Sequence, residues 1–244
     1  MTTLVKITIA FLVTLFLSSC AFDINLGDFG PGKKGNGIVV EENRTVREDF
    51  TEISASEGLH VYVTQADDFE ITVEADENII DLIGTDIKNG RLRVHAIENI
   101  GRATKKIYVS LPEVTALKSS SGAHLNTKNT VETDKLEIDS SSGSNLNVEF
   151  VAGDVDIDAS SGANLNLLGE AKVAYIDVSS GGNINARQLD TKTCHADASS
   201  GGNLSVSVSE SLTADASSGG NISYSGQASV QSKKNLSGSI TKRD

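Results

Sequence analysis

The sequence predicts an all-β fold: a parallel β-helix, or β-solenoid, with about 19–20 residues per coil, preceded by an irregular β region that caps it. Three observations carry that expectation. The phrase Ser-Ser-Gly, then a small or polar residue, then Asn or His, then Leu or Ile, returns six times in the second half of the chain. Its first glycines, Gly122, Gly143, Gly162, Gly181, Gly201 and Gly219, are spaced by 21, 19, 19, 20 and 18 residues, too few for a helical hairpin and enough for one coil. Apolar and polar residues alternate on both sides of each phrase, which marks strands buried on one face.

At the N-terminus, residues 1–19 read as a secretory signal peptide, with Lys6, an apolar run from Ile7 to Leu17, and small residues before Cys20. The run is too short for a permanent membrane span. Leu17-Ser18-Ser19-Cys20 has the form of a bacterial lipobox, so Cys20 is the expected lipidation site and the first residue of the mature chain. Acyl chains contribute about 0.8 kcal/mol per buried methylene, and several together hold a protein firmly on a membrane. Residues 20–37 collect turn formers with little periodicity and, with the lipidated cysteine at their head, are expected to form a flexible tether. Cys194 is then the remaining thiol, so packing rather than a disulfide framework must stabilise the body.

Residues 38–118 are expected to be the irregular β region. The stretches 59–63, 69–73, 92–94 and 107–111 alternate apolar with polar residues. Asn89-Gly90 has the composition of a tight turn, and Pro112 ends the strand that closes at Leu111. Between Glu77 and Ile87 the apolar residues Ile79, Ile80, Leu82 and Ile83 break the alternation, so a short helical turn is expected there. Glu57-Gly58-Leu59 reads as a worn copy of the repeated phrase.

Residues 119–244 are expected to be regular solenoid repeats with a C-terminal cap. Seven, five and three residues before the phrase glycines stand Leu136, Ile138 and Ser140; Val155, Ile157 and Ala159; Ala174, Ile176 and Val178; Cys194, Ala196 and Ala198; Leu212, Ala214 and Ala216. Steps of two place each set on one inward face. Three and five residues after the glycines, Leu146 and Val148, Leu165 and Leu167, Ile184 and Ala186, Leu204 and Val206, Ile222 and Tyr224 form a second inward row. Each coil is thus two strands and a corner, with a third, more variable segment leading onward. The first row shrinks towards Ala, which predicts a core that thins towards the C-terminus. Glycine suits the corner because it takes positive φ and has no side chain to jam between coils. Ser237-Gly238-Ser239-Ile240 reads as a degenerate last turn, guarded against edge pairing by Lys233, Lys234, Lys242 and Arg243.

Gly182-Asn183-Ile184-Asn185, with its relatives at 163–166 and 144–147, the strand-rich first half and the lipobox together resemble the head GIN domain family, described as auto-transporter adhesins. The resemblance spans about residues 40–240 and rests on the repeated SSG-x-N-[LI]-N pattern. It implies a secreted or lipid-anchored β-solenoid of the gram-negative envelope, and it defines no catalytic residues to transfer. No auto-transporter barrel is legible in the chain.

The net charge of −12 opposes binding to nucleic acid or to an anionic bilayer, both of which require a positive field. Divalent cations remain conceivable ligands. Four residues before the glycines stand Asp139, Asp158, Asp177, Asp197 and Asp215, which alternation turns outward as a carboxylate ladder. Its candidate ligand is Ca²⁺, whose flexible all-oxygen coordination suits carboxylates beside Asn and Ser; the alternative is a solvated polar stripe. The columns Asn145, Asn164, Asn183, Asn203, Asn221 and Asn126, Asn147, Asn166, Asn185 offer amides either to a glycan or to one another. His60, His95, His124 and His195 are scattered, and no Gly-x-Ser-x-Gly elbow is present. The expectation is therefore a non-catalytic binding or adhesion module of the cell envelope, lipid-anchored at the outer membrane, with a glycan or surface protein as partner. The alternatives are a β-helical polysaccharide-degrading enzyme and a passive envelope protein.

Overall fold

The computed structural model describes residues 30–234 and 237–243, so the signal peptide and Cys20 lie outside the described residues. Among the described residues, apart from one 3₁₀ turn at Ile80–Leu82, the regular structure is β, joined into one continuous sheet system. In the repeats, β8 (Ala116–Ser119), β9 (His124–Thr127), β10 (Val131–Ser140), β11 (Asn145–Ala159), β12 (Asn164–Val178), β13 (Asn183–Ala198), β14 (Asn203–Ala216), β15 (Asn221–Ser225), β16 (Ser229–Lys234) and β17 (Ser239–Lys242) stack in parallel. The register holds every repeat over its neighbour: Leu146 stands beside Leu165, Leu165 beside Ile184, and Ile184 beside Leu204. The fold is therefore the β-solenoid that the spacing predicts.

Both inward rows are buried as expected, apart from Tyr224, which packs partly buried against the core. One column runs Leu117, Ile138, Ile157, Ile176, Ala196, Ala214. The facing column keeps Leu or Ile throughout, from Leu125 to Ile222. Less side-chain volume thus separates the two arms in the later coils. The third segment expected in each coil is not separate, because β11 to β14 each carry the second arm of one coil into the first arm of the next. Backbone pairing survives the bend, where Ala152 stands beside Ala171.

Each corner is a four-residue turn in which two successive residues are left-handed. Ser121, Ser142, Ser161, Ser180, Ser200 and Ser218 have φ of 46–52°, and the glycine after each has φ of 70–79°. Ser160 O accepts from Ala163 N at 3.0 Å, closing the turn; this is the pattern of a type I′ turn, which needs positive φ at both central positions. Coils are also joined across the corner, because Gly143 N donates to Ser161 O and Gly162 N to Ser180 O. The reason given above for the phrase glycines needs correction in part. A Cβ built on Gly122, Gly143, Gly162, Gly181 or Gly201 would meet nothing within 4 Å, so the corner requires glycine for its φ and not for space. Crowding belongs to the following position: a Cβ on Gly202 or Gly220 would lie 2.4 or 2.2 Å from the carbonyl oxygen of Val178 or Ala198.

The region 38–118 does cap the solenoid, but it also supplies two coils, and their order in space is not their order in the chain. Its strands are β1 (Val39–Arg44), β2 (Glu52–Ala55), β3 (His60–Gln65), β4 (Glu70–Asp76), β5 (Ile83–Lys88), β6 (Arg91–Ala96) and β7 (Lys105–Leu111). The pair β2–β3 lies between β6–β7 on one side and β8–β9 on the other. Glu57 and Gly58 are left-handed like the later corners, and Gly58 N donates to Ser121 O, so this worn copy is a true coil. Antiparallel strands end the stack: β4 on β7, β1 on β4, and β5 on β6 through the Asn89-Gly90 turn.

Residues 33–37, assigned by composition to the tether, lie against this cap. Lys33 pairs with Ile100, and the buried carboxylate of Asp76, 3% exposed, accepts from Gly37 N at 2.7 Å and Thr104 N at 2.6 Å. Asp76→Ala would leave both amides without their acceptor and should cost about 2–3 kcal/mol in denaturant unfolding. The two glycine positions separate by mechanism. Gly162→Ala should cost about 1–2 kcal/mol, for left-handed strain alone, and Gly162→Asn less. Gly220→Ala should cost more, because backbone must move; equal losses at the two sites would refute the assignment.

Candidate functional site

The outward side chains of the solenoid form files, because in-register stacking puts the same position of every coil in one column. Asp139, Asp158, Asp177, Asp197 and Asp215 are such a file. Lys118 precedes Asp139 in it and Lys233 follows Asp215, with Lys233 Nζ 3.5 Å from Asp215 Oδ2. Lys118 itself pairs with Glu137 in the neighbouring file. Cations thus stand at the two ends of the acidic file, and its middle carries the repulsion. Partial burial, then Asp156, Asp177, Asp139 and Glu137, push the Asp158 carboxyl above the usual carboxylate range. Burial and then Asp197 do the same to Asp177. The carboxylates follow one another rather than converging: among the described residues, no three His, Cys, Asp or Glu side chains form a group able to hold a metal ion.

Beside this file runs a second one of Glu137, Asp156, Tyr175, His195 and Thr213. The rings of Tyr175 and His195 stack with centroids 5.0 Å apart and 8° between planes, and Tyr175 is 49% exposed. The acidic face therefore carries an aromatic pair at its centre.

The other arm presents the amides. Asn183 Nδ2 donates to Asn164 Oδ1 at 3.3 Å, Asn203 to Asn183 at 3.2 Å and Asn221 to Asn203 at 3.2 Å. The same nitrogens also reach back to the corner carbonyls of Gly181, Gly201 and Gly219. In the second file Asn147 donates to Asn126 at 2.7 Å and Asn185 to Asn166 at 2.9 Å. These amides are engaged with one another and with the corners, so they act first as a structural ladder.

Aromatic pairs continue both amide files past the repeats, and the sequence reading missed them. Lys106, His60 and His124 lead into Asn145, while Tyr108 and Tyr62 lead into Asn126 and Asn147. His60 and His124 stack at 4.5 Å and Tyr62 and Tyr108 at 5.2 Å, so two of the four histidines are partners rather than scattered. Alternation already turned these residues outward. What it did not show is that β7, β3 and β9 are neighbours. Each stacked ring covers one face of its partner, and Lys128 Nζ sits 5.4 Å over Tyr62. Glu74 joins the patch by accepting from Lys106 Nζ at 2.7 Å and Tyr108 Oη at 3.1 Å. Burial, with His124, Lys105 and Lys106 nearby, lowers the His60 pKa below its ordinary value and keeps the ring neutral at pH 7. Cys194 lines the core, where burial pushes its thiol up to about 12 and leaves it a packing residue.

A family model described as putative auto-transporter adhesin, head GIN domain, matches residues 49–228, the coils and corners together. The chain belongs to the head GIN domain family. Among curated proteins none matches it. The head GIN domain is similar to the crystal structure of a putative adhesin from Bacteroides fragilis, with a TM-score of 0.78 and 21% identity over 87% of this chain and 100% of that one. It is also similar to a putative adhesin from Parabacteroides distasonis, with a TM-score of 0.71 and 21% identity over 86% and 99% of the two chains. A putative lipid binding protein from the same species shares 19% identity over 87% and 99%, with a TM-score of 0.72. At these identities the likeness establishes the fold.

The raised carboxyls of the acidic file give a pH prediction. A carboxyl whose folded-state pKa lies above its unfolded value binds its proton more tightly when folded; its contribution favours the head GIN domain as pH falls through that window and opposes it above. Asp158→Asn should therefore raise the melting temperature at pH 7, by roughly 2 °C for the relief of cross-strand repulsion. The gain should vanish near pH 3, where the carboxyl is protonated in both states. A stabilisation equal at both pH values in thermal unfolding would contradict this account.

Proposed function

We propose that this head GIN domain is a non-catalytic binding module of the cell envelope, lipid-anchored through Cys20 at the outer membrane and acting in adhesion. The carrying observation is the file: one outward residue type repeated coil after coil on a rigid stack, as in Asp139 to Asp215. Such a surface suits a target that itself repeats, such as a linear glycan. Linked weak contacts raise the overall affinity by about 10²–10⁴-fold when the spacings match. The descriptions of its solved relatives, adhesin in two cases and lipid binding in a third, support a binding role.

The attachment of residues 33–37 fits this reading. Residues 33–37 join the body at its capped end, beside β6, β7 and β4. A tether preceding these residues would join the stack at its capped end, opposite β16 and β17.

Two measurements test the proposal. Cys20→Ala should move the full chain from the membrane fraction to the soluble fraction, and retention in membranes would exclude the lipid anchor. On a glycan array the native chain should bind polymeric ligands at least about tenfold tighter than their monomer units. Equal affinity for polymer and monomer would remove the multivalent mechanism, and new reducing or unsaturated ends would favour a polysaccharide-degrading enzyme.

A further inference from the structure

The amide file changes chemistry in the last coils. Where the earlier coils place Asn126, Asn147, Asn166 and Asn185, the later ones place Ser205 and Ser223 in the same register. The shorter side chains leave a hollow of about 180 Å³ on this face, lined by Arg187, Ser205, Ser223, Tyr224, Ser225 and Arg243. Arg187 reaches it because the ladder between β13 and β14 shifts register between Ala186 and Asp190, and a bulge re-aims the side chain it carries. That irregularity falls where a spacing of 20 residues is followed by one of 18.

Arg187 Nη2 lies 3.5 Å from Ser205 Oγ, a long contact that leaves the guanidinium largely free to bond elsewhere. Arg243 is fixed at its backbone, where its N–H donates to Tyr224 O at 2.8 Å. Neither guanidinium is in an ion pair among the described residues. In the same lining, Ser223 Oγ is buried and has no hydrogen-bond partner among the described residues. Two cations and a set of hydroxyls thus line one small hollow on a chain of net charge −12.

We propose that this hollow binds a tetrahedral oxyanion, phosphate or sulfate, free or as the ester of a larger molecule. Guanidinium forks match such oxygens in pairs, and serine hydroxyls donate to the oxygens that remain. The volume accommodates the anionic group together with part of the skeleton that carries it. The site is distinct from the carboxylate file, and it stands or falls independently of the adhesion reading.

Calorimetry on the purified full chain, in a phosphate-free buffer of low ionic strength, tests the site with inorganic phosphate, inorganic sulfate and glucose 6-phosphate as probes. At least one should bind saturably with a Kd of about a millimolar or tighter. Tighter binding of glucose 6-phosphate than of phosphate would identify an ester as the ligand, and equal binding the free anion. Arg187→Gln and Arg243→Gln should each weaken binding about tenfold or more, while Arg93→Gln, at the capped end, should not. The probe should also raise the melting temperature of the native chain and not that of Arg187→Gln, a readout that controls for folding. No saturable binding of any probe, or binding that survives in the double variant Arg187→Gln/Arg243→Gln, would overturn the proposal.

Discussion

The structure depends on one local constraint, the closing of seven stacked coils, from Glu57-Gly58 through Ser121-Gly122 to Ser218-Gly219, by two consecutive left-handed residues. The serine of each later pair bears a conformational strain that glycine would not, and it is held by the bonds around it. Its carbonyl accepts the glycine amide of the coil before, as Ser161 O does from Gly143 N and Ser180 O from Gly162 N. Each of these serine corners is therefore tied to the corner before it. This makes the turn cooperative along the axis and fixes the register of both arms, since a slipped coil would lose its corner bonds as well as its core contacts.

Register, once fixed, has consequences on both sides of the strands. Inside, it gives apolar columns in which Leu meets Leu and Ile meets Ile, with the volume falling to Ala in the later coils. Outside, it forces like beside like. Amides tolerate that, because each is both donor and acceptor and can pass hydrogen bonds along the file. Carboxylates do not: at Asp158 and Asp177 partial burial comes first and neighbouring carboxylates add to it in raising the pKa. The same rule that stabilises one face loads the other, and a charged, regular, rigid surface results.

Departures from regularity mark the places where the surface is individual. The bulge after Ala186 and the change from Asn to Ser open the arginine-lined hollow. The out-of-order coils at the other end assemble the stacked rings of His60, His124, Tyr62 and Tyr108. That end is closed by reversed strands, which answer the edge problem that a parallel stack leaves at its first coil. A repeated scaffold thus gains distinct chemistry at its two ends.

The repeat was legible in the sequence because strand alternation and corner chemistry are local. The spacing of Gly122 to Gly219, the inward rows and the outward Asp and Asn files all follow from counting, and Glu57-Gly58 was recognisable as a copy for the same reason. Counting could not find that β2–β3 lies between β6–β7 and β8–β9, since no local preference distinguishes a neighbour in sequence from a neighbour in space. Nor could it separate φ from crowding as the reason for a glycine, place residues 33–37 on the cap, or bring Arg187 and Arg243 to one hollow. The sequence by itself determined the coil, its corner and its two faces; tertiary stacking alone decided which coils touch, because that choice rests on contacts between segments far apart in the chain.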